Sequence, residues 1–84
     1  MITRIEKYEA SWCGPCKAMN KHLNNIKDIE IVKIDITENE KVAAEKGIRS
    51  VPTLIYYDEN GEEKTRTVGA ISYDAIMKVV NNFN

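Results

Sequence analysis

The sequence contains few of the residues that cross-link or interrupt small domains. Of its 84 residues, two are Cys, two are Pro, four are Gly and one is His. Secreted proteins of this size often depend on several disulfides, but here two residues separate the only two cysteines, so a bridge between them closes a very short loop. A disulfide-stapled scaffold is therefore disfavoured. The spacing is instead typical of a reversible redox pair.

The sequence also lacks a dominant charge and a long apolar run. Twelve basic and 13 acidic residues are interleaved and give a net charge of −1, which argues against nucleic acid or an anionic membrane as a partner. The first residues do not resemble a signal peptide, and no segment approaches the length of a membrane span. We therefore expect one domain over residues 1–84, located in the cytoplasm.

Short apolar runs alternate with helical patterns, which predicts an α/β domain. Met19, Leu23 and Ile26 recur with Cys16 at helical spacing, and residues 29–36 are rich in β-branched side chains. We predict a mixed four-stranded sheet with three helices in the order βαβαββα. The expected strands are 2–9, 29–36, 53–57 and 62–68, and the expected helices are 15–26, 38–46 and one starting after Ser72.

Several residues predict where the second helix begins and ends. Thr37 and Glu40 have the spacing of a capping box, in which each side chain binds the other residue's backbone N–H. Val42 and Ala43 are predicted to face inward, and Gly47 to end the helix.

The segment that follows predicts a hairpin and a last helix that covers one face of the sheet. Asn60 and Gly61 suit a tight turn, and Lys64 and Arg66 protect the second arm from pairing with other chains. Ser72 is the expected cap of the last helix. Its predicted buried stripe comprises Tyr73, Ile76, Met77, Val80 and Phe83.

The cysteines lie at the predicted start of the first helix. Pro15 suits a first helical turn, so Cys13 precedes the helix as the exposed sulfur, while Cys16 faces the core. A free thiol with a pKa of ~8.5 is only about 3% ionised at pH 7. Lowering that pKa by roughly 1.5 units needs about 2 kcal/mol of anion stabilisation. The N–H groups and dipole of a helix start supply much of it.

A metal site is the main alternative for the cysteines. Zinc normally takes four ligands, and beyond Cys13 and Cys16 the sequence offers only His22, with no second CxxC. His22 lies off the predicted buried stripe and is expected to face solvent. We therefore predict no metal site.

Three segments of the sequence are distinctive: Trp12-Cys13-Gly14-Pro15-Cys16-Lys17, residues 47–53 and residues 68–70. In that order they resemble the active-site motif, the segment containing the cis-proline and the glycine turn of the thioredoxin family. Because they occur in the family's order, the chain is identified as a compact, glutaredoxin-sized thioredoxin-like protein. The resemblance implies a thiol–disulfide oxidoreductase that reduces protein disulfides, with Cys13 attacking the substrate and Cys16 resolving the mixed disulfide.

The resemblance also implies the rest of the site. Trp12, Gly14, Pro15, Lys33 and Pro52 would support catalysis, and Pro52 would follow a cis peptide bond. A docking surface for extended substrates would be formed by Trp12, Val51, Pro52, Gly69 and Ala70. We expect a monomeric electron carrier with no cofactor beyond its disulfide. Its partners would be disulfide-containing proteins and a reductase of the thioredoxin reductase type.

The sequence departs from the family's pattern beside the inner cysteine. Lys7 stands where typical members carry a buried aspartate that assists proton transfer, and Glu9 stands at a usual tryptophan. Lys33 matches a family lysine on the neighbouring strand. An ordinary surface lysine, with its stem along the protein and its charge in water, is an equally good interpretation. Glu6 could replace the missing acid only if the strand register differed.

Three other functions remain open from the sequence. The chain could be a glutathione-dependent, glutaredoxin-like reductase, a non-enzymatic binding module, or a scaffold for a metal or cluster. The first predicts reduction driven by glutathione alone, and the second predicts partner binding that survives loss of Cys13. The third predicts stoichiometric metal in the purified protein.

Overall fold

Strands and helices alternate along the chain, as the hydrophobic pattern predicts. A computed structural model describes residues 1–84. The elements are β1 (Ile2–Glu9), α1 (Gly14–Leu23), β2 (Glu30–Asp35), α2 (Glu40–Glu45), β3 (Thr53–Asp58), β4 (Glu63–Val68) and α3 (Tyr73–Asn82). No helix among them has the length and apolar character needed to cross a membrane.

The four strands form one mixed sheet in the order β2-β1-β3-β4. β1 pairs in parallel with β2, β3 pairs antiparallel with β1, and β4 pairs antiparallel with β3. The predicted fold class and element order are therefore confirmed. Because β1 lies between β2 and β3, neither of its edges is open, and its successive side chains point to opposite faces of the sheet.

The two faces of the sheet have separate cores. α1 and α3 pack on one face, where the buried side chains are Ile2, Ile5, Met19, Leu23, Ile26, Leu54, Tyr56, Ile76 and Val80. On the other face Tyr8, Ile55 and Tyr57 are buried, with Ile34, Ile36 and Ile48 packed against them. A register shift between Ile2 and Arg4 explains why Ile2 shares a face with Ile5.

The N-terminal cap of α2 differs from the predicted capping box. The Thr37 backbone N–H and hydroxyl both donate to Asp35 Oδ1, at 2.8 and 2.6 Å, so the Thr37 side chain is already engaged. The helix begins later, with Asn39 as an N-cap residue that makes no side-chain capping bond. The prediction was wrong because a nearer carboxylate competes for the Thr37 hydroxyl.

Two predicted inward-facing residues also lie elsewhere. Val42 on α2 is 38% exposed, and only Ala43 of that helix is buried. Phe83 is 37% exposed because α3 ends at Asn82 and Phe83 becomes its C-cap. α1 likewise ends three residues earlier than predicted, although Ile26 remains buried through a turn after Leu23.

Candidate active site

The cysteine pair lies where β1 is followed by α1. Cys13 has extended backbone angles and is the N-cap of α1, with Pro15 in the first turn. Its Sγ accepts a hydrogen bond of 3.1 Å from the Cys16 backbone N–H, and the two cysteines are joined by a disulfide. The predicted placement of one sulfur at a helix start is therefore confirmed. Unpaired N–H groups at that start stabilise negative charge on the sulfur once the bridge is reduced.

Cys13 is less exposed than predicted. It is 5% exposed and Cys16 is 1% exposed, so both belong to the buried residues of the domain. Ala10 forms a small cluster with them, and Val51 and Ile36 pack against it from distant parts of the chain. The N-cap position predicts which sulfur lies nearer the surface, but tertiary packing determines how much of it solvent reaches.

The residues around Cys13 are more open than Cys13 itself. Trp12 is 69% exposed, and Gly14 and Pro15 are also exposed. Trp12 therefore does not fill the core. A large apolar side chain that stays in solvent beside a disulfide leaves surface available for a partner.

Two loops lie beside this surface. The Val51–Pro52 peptide bond is cis, and the Gly69 N–H donates a 2.8 Å hydrogen bond to the Pro52 carbonyl oxygen. Gly69 has a φ of 95°, a conformation that residues with a Cβ rarely adopt, and Ala70 after it is exposed. Pro52 itself is fully buried, so it positions Val51 and Gly69 and offers no side-chain surface.

Lys7 is the charged side chain buried against the first turns of α1. It is 0% exposed, and its Nζ donates hydrogen bonds of 2.6 Å each to the Cys16 carbonyl oxygen, Asn20 Oδ1 and Glu9 Oε1. An ammonium has three N–H donors, so all of them are satisfied. Lys33, its register partner on β2, is exposed on an edge strand.

Glu6 does not take the place of the missing acid. It points to the opposite face of the sheet, where Glu6 Oε1 accepts hydrogen bonds of 2.9 Å from the Tyr8 hydroxyl and 2.8 Å from the Tyr57 hydroxyl. Arg4 pairs with its second oxygen. Burial, reinforced by the hydrogen bond to this carboxylate, raises the pKa of Tyr8, and burial also raises that of Tyr57.

Asn20 was missed by the sequence reasoning. It lies four residues after Cys16 on α1, which places the two on one helix face. Lys7 and Glu9 are two residues apart on β1, which places them on one strand face. These two periods were visible in the sequence, but pairing them requires knowing how α1 lies across β1.

His22 is half-buried and does not simply face solvent. It lines a cavity of about 270 Å³ between α1 and the segment before α3. The lining residues are Ala18, Met19, Lys21, His22, Ala70, Ile71 and Ser72. No three His, Cys, Asp or Glu side chains are grouped so that they could hold a metal ion.

Comparison with known proteins decides the family. Residues 3–82 match the Thioredoxin family model. The chain belongs to the thioredoxin family. It is similar to the thioredoxin of Mycoplasma genitalium, with 34% identity over 82 residues that cover 93% of this chain and 79% of that protein. It is similar also to a thioredoxin of Pyropia yezoensis, with 34% identity over 88% of this chain and 73% of the relative.

Solved structures agree with the family. A mutant thioredoxin from Halobacterium salinarum superposes with a TM-score of 0.85 at 32% identity, covering 94% of this chain and 72% of the other. The oxidised mitochondrial thioredoxin 3 of Saccharomyces cerevisiae gives 0.82 at 29% identity, covering 94% and 76%. Thioredoxins are protein-disulfide oxidoreductases that need no cofactor beyond their redox-active disulfide, and the Cys13–Cys16 bridge fits that chemistry.

Proposed function

We propose that this member of the family works as a net reductant of protein disulfides, with Cys13 as the attacking thiol and Cys16 as the resolving thiol. The observation that carries the proposal is the N-cap position of Cys13, whose sulfur accepts the Cys16 N–H at the start of α1. A helix start stabilises the thiolate that disulfide exchange requires. Pro15 between the cysteines resembles the more reducing members of the family.

The two cysteines supply both electrons of the proposed cycle. The Cys13 thiolate attacks one sulfur of the substrate disulfide, forms a mixed disulfide and releases the other substrate sulfur as a thiolate that takes a proton from water. Cys16 loses its proton and attacks the Cys13 sulfur, which forms the Cys13–Cys16 bond and releases the second substrate thiol. The substrate gains two electrons and the chain loses two. A reductase of the thioredoxin reductase type restores the dithiol.

The substrate is proposed to dock on the surface formed by Trp12, Val51, Gly69 and Ala70, with Pro52 holding its two loops together. Val51 packs against the cysteine cluster, and the hydrogen bond between Gly69 and Pro52 keeps Ala70 beside it. Their proximity to the disulfide supports docking of an extended segment there. Lys33 is exposed on β2 and forms no ion pair or side-chain hydrogen bond, so its supporting role stays a prediction.

The proposed setting is a reducing cytoplasm, where the chain acts as a monomeric electron carrier. The nearly neutral net charge with interleaved signs fits a carrier that meets several protein partners and has no affinity for nucleic acid or membranes. A CxxC pair that must be re-reduced each cycle also fits a compartment that supplies thiol reductants.

The test compares two variants that each keep one thiol. Insulin reduction is followed with NADPH and thioredoxin reductase, and separately with glutathione as the electron source. Wild type is expected to turn over with the reductase, and Cys13→Ser and Cys16→Ser are expected to lose at least about a thousandfold of that activity. Only Cys16→Ser should accumulate a covalent mixed disulfide, because its Cys13 attacks and nothing resolves the product.

Other outcomes select the alternatives. Turnover with glutathione alone would indicate a glutaredoxin-like reductase. A mixed disulfide that accumulates on Cys13→Ser would reverse the roles of the two thiols. Partner binding at full function in Cys13→Ser would identify a binding module instead.

A further inference from the structure

The buried Lys7 ammonium is the one charge that the proposed cycle leaves unused beside its inner cysteine. Its Nζ lies 2.6 Å from the Cys16 carbonyl oxygen. The sulfur of a cysteine lies within about 4.5 Å of its own carbonyl oxygen, so the Cys16 sulfur lies within about 7 Å of this cation. The Lys7 side chain is 0% exposed, so little solvent screens the interaction.

The hydrogen bonds of Lys7 rule out one role and leave another. All three N–H donors are occupied by Cys16 O, Asn20 Oδ1 and Glu9 Oε1, so the ammonium has no vacant position for a bond to sulfur. An ammonium also has no lone pair with which to accept the Cys16 proton. What remains is its positive charge, which Asn20 and Glu9 hold at a fixed place under the first turns of α1.

The other charged side chains on the elements around the pair are either exposed or already hydrogen-bonded. Lys17 on α1, Lys33 on β2 and Arg49 before β3 are exposed, so solvent screens them. Asp35 at the end of β2 accepts from Thr37, and that hydrogen bond lowers the pKa of Asp35. The side chains that pack directly on the cysteines from other elements, Val51 and Ile36 among them, are apolar.

We propose that Lys7 is a positioning residue whose positive charge stabilises the thiolate of Cys16. The Glu9 carboxylate, paired with Lys7, partly offsets this electrostatic effect. This inference deepens the proposed function and rests on it. When Cys16 resolves the mixed disulfide, its proton leaves to water and the thiolate forms beside a fixed cation. The chain thereby promotes deprotonation of Cys16 without a carboxylate base.

The sign of the effect follows from Coulomb's law. A unit charge at about 7 Å with an effective dielectric constant of about 20 shifts a thiol pKa by one to two units, and Glu9 offsets part of it. A cation that stabilises the reduced thiolate also makes the disulfide easier to reduce. Removing Lys7 should therefore raise the pKa of Cys16 and make the disulfide harder to reduce. Removing the charge of Glu9 should lower that pKa and make the disulfide easier to reduce.

The test uses Lys7→Met and Glu9→Gln, with Lys78→Met as the matched control. Lys78 is exposed on α3, so that control removes the same charge from a solvated site. In a Cys13→Ser background, the pKa of Cys16 is read from the NMR shift of its Cβ carbon against pH. It should rise by about one unit in Lys7→Met, fall by about half a unit in Glu9→Gln and stay unchanged in Lys78→Met.

A second measurement uses the intact pair, equilibrated with glutathione at one alkaline pH that lies above the Cys16 pKa measured for each of these proteins. The value of [GSH]²/[GSSG] at half-reduction should rise about tenfold in Lys7→Met and fall about threefold in Glu9→Gln. A merely structural role for Lys7 would not give shifts of opposite sign. An unchanged or lowered Cys16 pKa in folded Lys7→Met would overturn the proposal.

If Lys7→Met does not fold, Glu9→Gln decides alone, because glutamine keeps the hydrogen bond to Lys7. A lowered Cys16 pKa supports the proposal, and an unchanged or raised one refutes it. Insulin reduction by the wild type separates this question from the proposed function. Activity in the wild type with no effect of either variant would sink only the role of Lys7.

Discussion

The two faces of β1 each bury one charge, but they satisfy it in different ways. On the α1 face, Lys7 donates to a backbone carbonyl, an amide and a carboxylate. On the opposite face, Glu6 accepts from two tyrosine hydroxyls and pairs with Arg4. A buried charge needs such partners on either face, because leaving it unpaired costs several kcal/mol.

The difference lies in what each charge touches. Lys7 contacts Cys16, a member of the reactive pair, and its partner Glu9 keeps a quarter of its side chain in solvent. Glu6 contacts tyrosines of the second core, on the face of β1 opposite to Lys7. The comparison indicates that the Glu6 face uses its charge for folding, whereas the Lys7 face uses its charge at the site.

The largest effect on stability should come from Glu6→Ala. The substitution leaves the buried hydroxyls of Tyr8 and Tyr57 without their shared acceptor, at a cost of 1–3 kcal/mol each. We expect the free energy of unfolding in urea to fall by about 3 kcal/mol. The glutathione equilibrium of the folded fraction should stay within about twofold of wild type. If Glu6→Ala changed that equilibrium as much as Lys7→Met does, the charges on both faces of β1 would influence the reactive pair, and the proposed difference between them would be wrong.

Much of this arrangement was visible in the sequence, because it depends on local signals. The bounds of β1 and the Ser72 cap of α3, whose Oγ accepts the Ala75 N–H at 3.2 Å, follow from short-range patterns. Cys13 as N-cap follows from its position before Gly14 and Pro15. In each case the deciding contact spans only a few residues.

What the sequence could not show depends on contacts between distant segments. The burial of Cys13 comes from Ile36 and Val51, and the contact of Asn20 with Lys7 comes from the way α1 crosses β1. The missed cap of α2 is local, but the residue pattern alone does not show that the Thr37 hydroxyl donates to Asp35 and leaves the helix start uncapped.

A smaller effect should appear at alkaline pH on the Glu6 face. Burial is the main cause that raises the pKa of Tyr8 above its ordinary value of 10.0. The contribution of Tyr8 to stability is therefore complete below about pH 10 and is lost as the pH rises further. One such tyrosine contributes a loss of about 1.4 kcal/mol per pH unit in that window. Tyr8→Phe should reduce the slope of unfolding free energy against pH by that amount.

The matched control for Tyr8 is Tyr73→Phe, which removes a hydroxyl outside the Glu6 cluster. Urea unfolding at about pH 8, 10 and 11 supplies the slope for each protein. Equal slopes for wild type and Tyr8→Phe would show that Tyr8 ionises as easily in the folded state as in the unfolded chain. The surroundings of Glu6 would then not be shielded enough from solvent to oppose ionisation of Tyr8.

The smallest effect on stability is expected from Lys7→Met, the variant with the largest redox effect. Methionine nearly matches the length of lysine and removes the cost of burying an ammonium, which offsets the three hydrogen bonds that are lost. Glu9 is 25% exposed and can be hydrated when its partner is gone. We expect the free energy of unfolding of the oxidised protein to change by about 1 kcal/mol or less. A decrease in the free energy of unfolding of more than about 3 kcal/mol would mean that Lys7, like Glu6, is retained for folding. The hydrogen bonds of Lys7 would then be needed to keep α1 packed on the sheet, independently of any effect on the thiol.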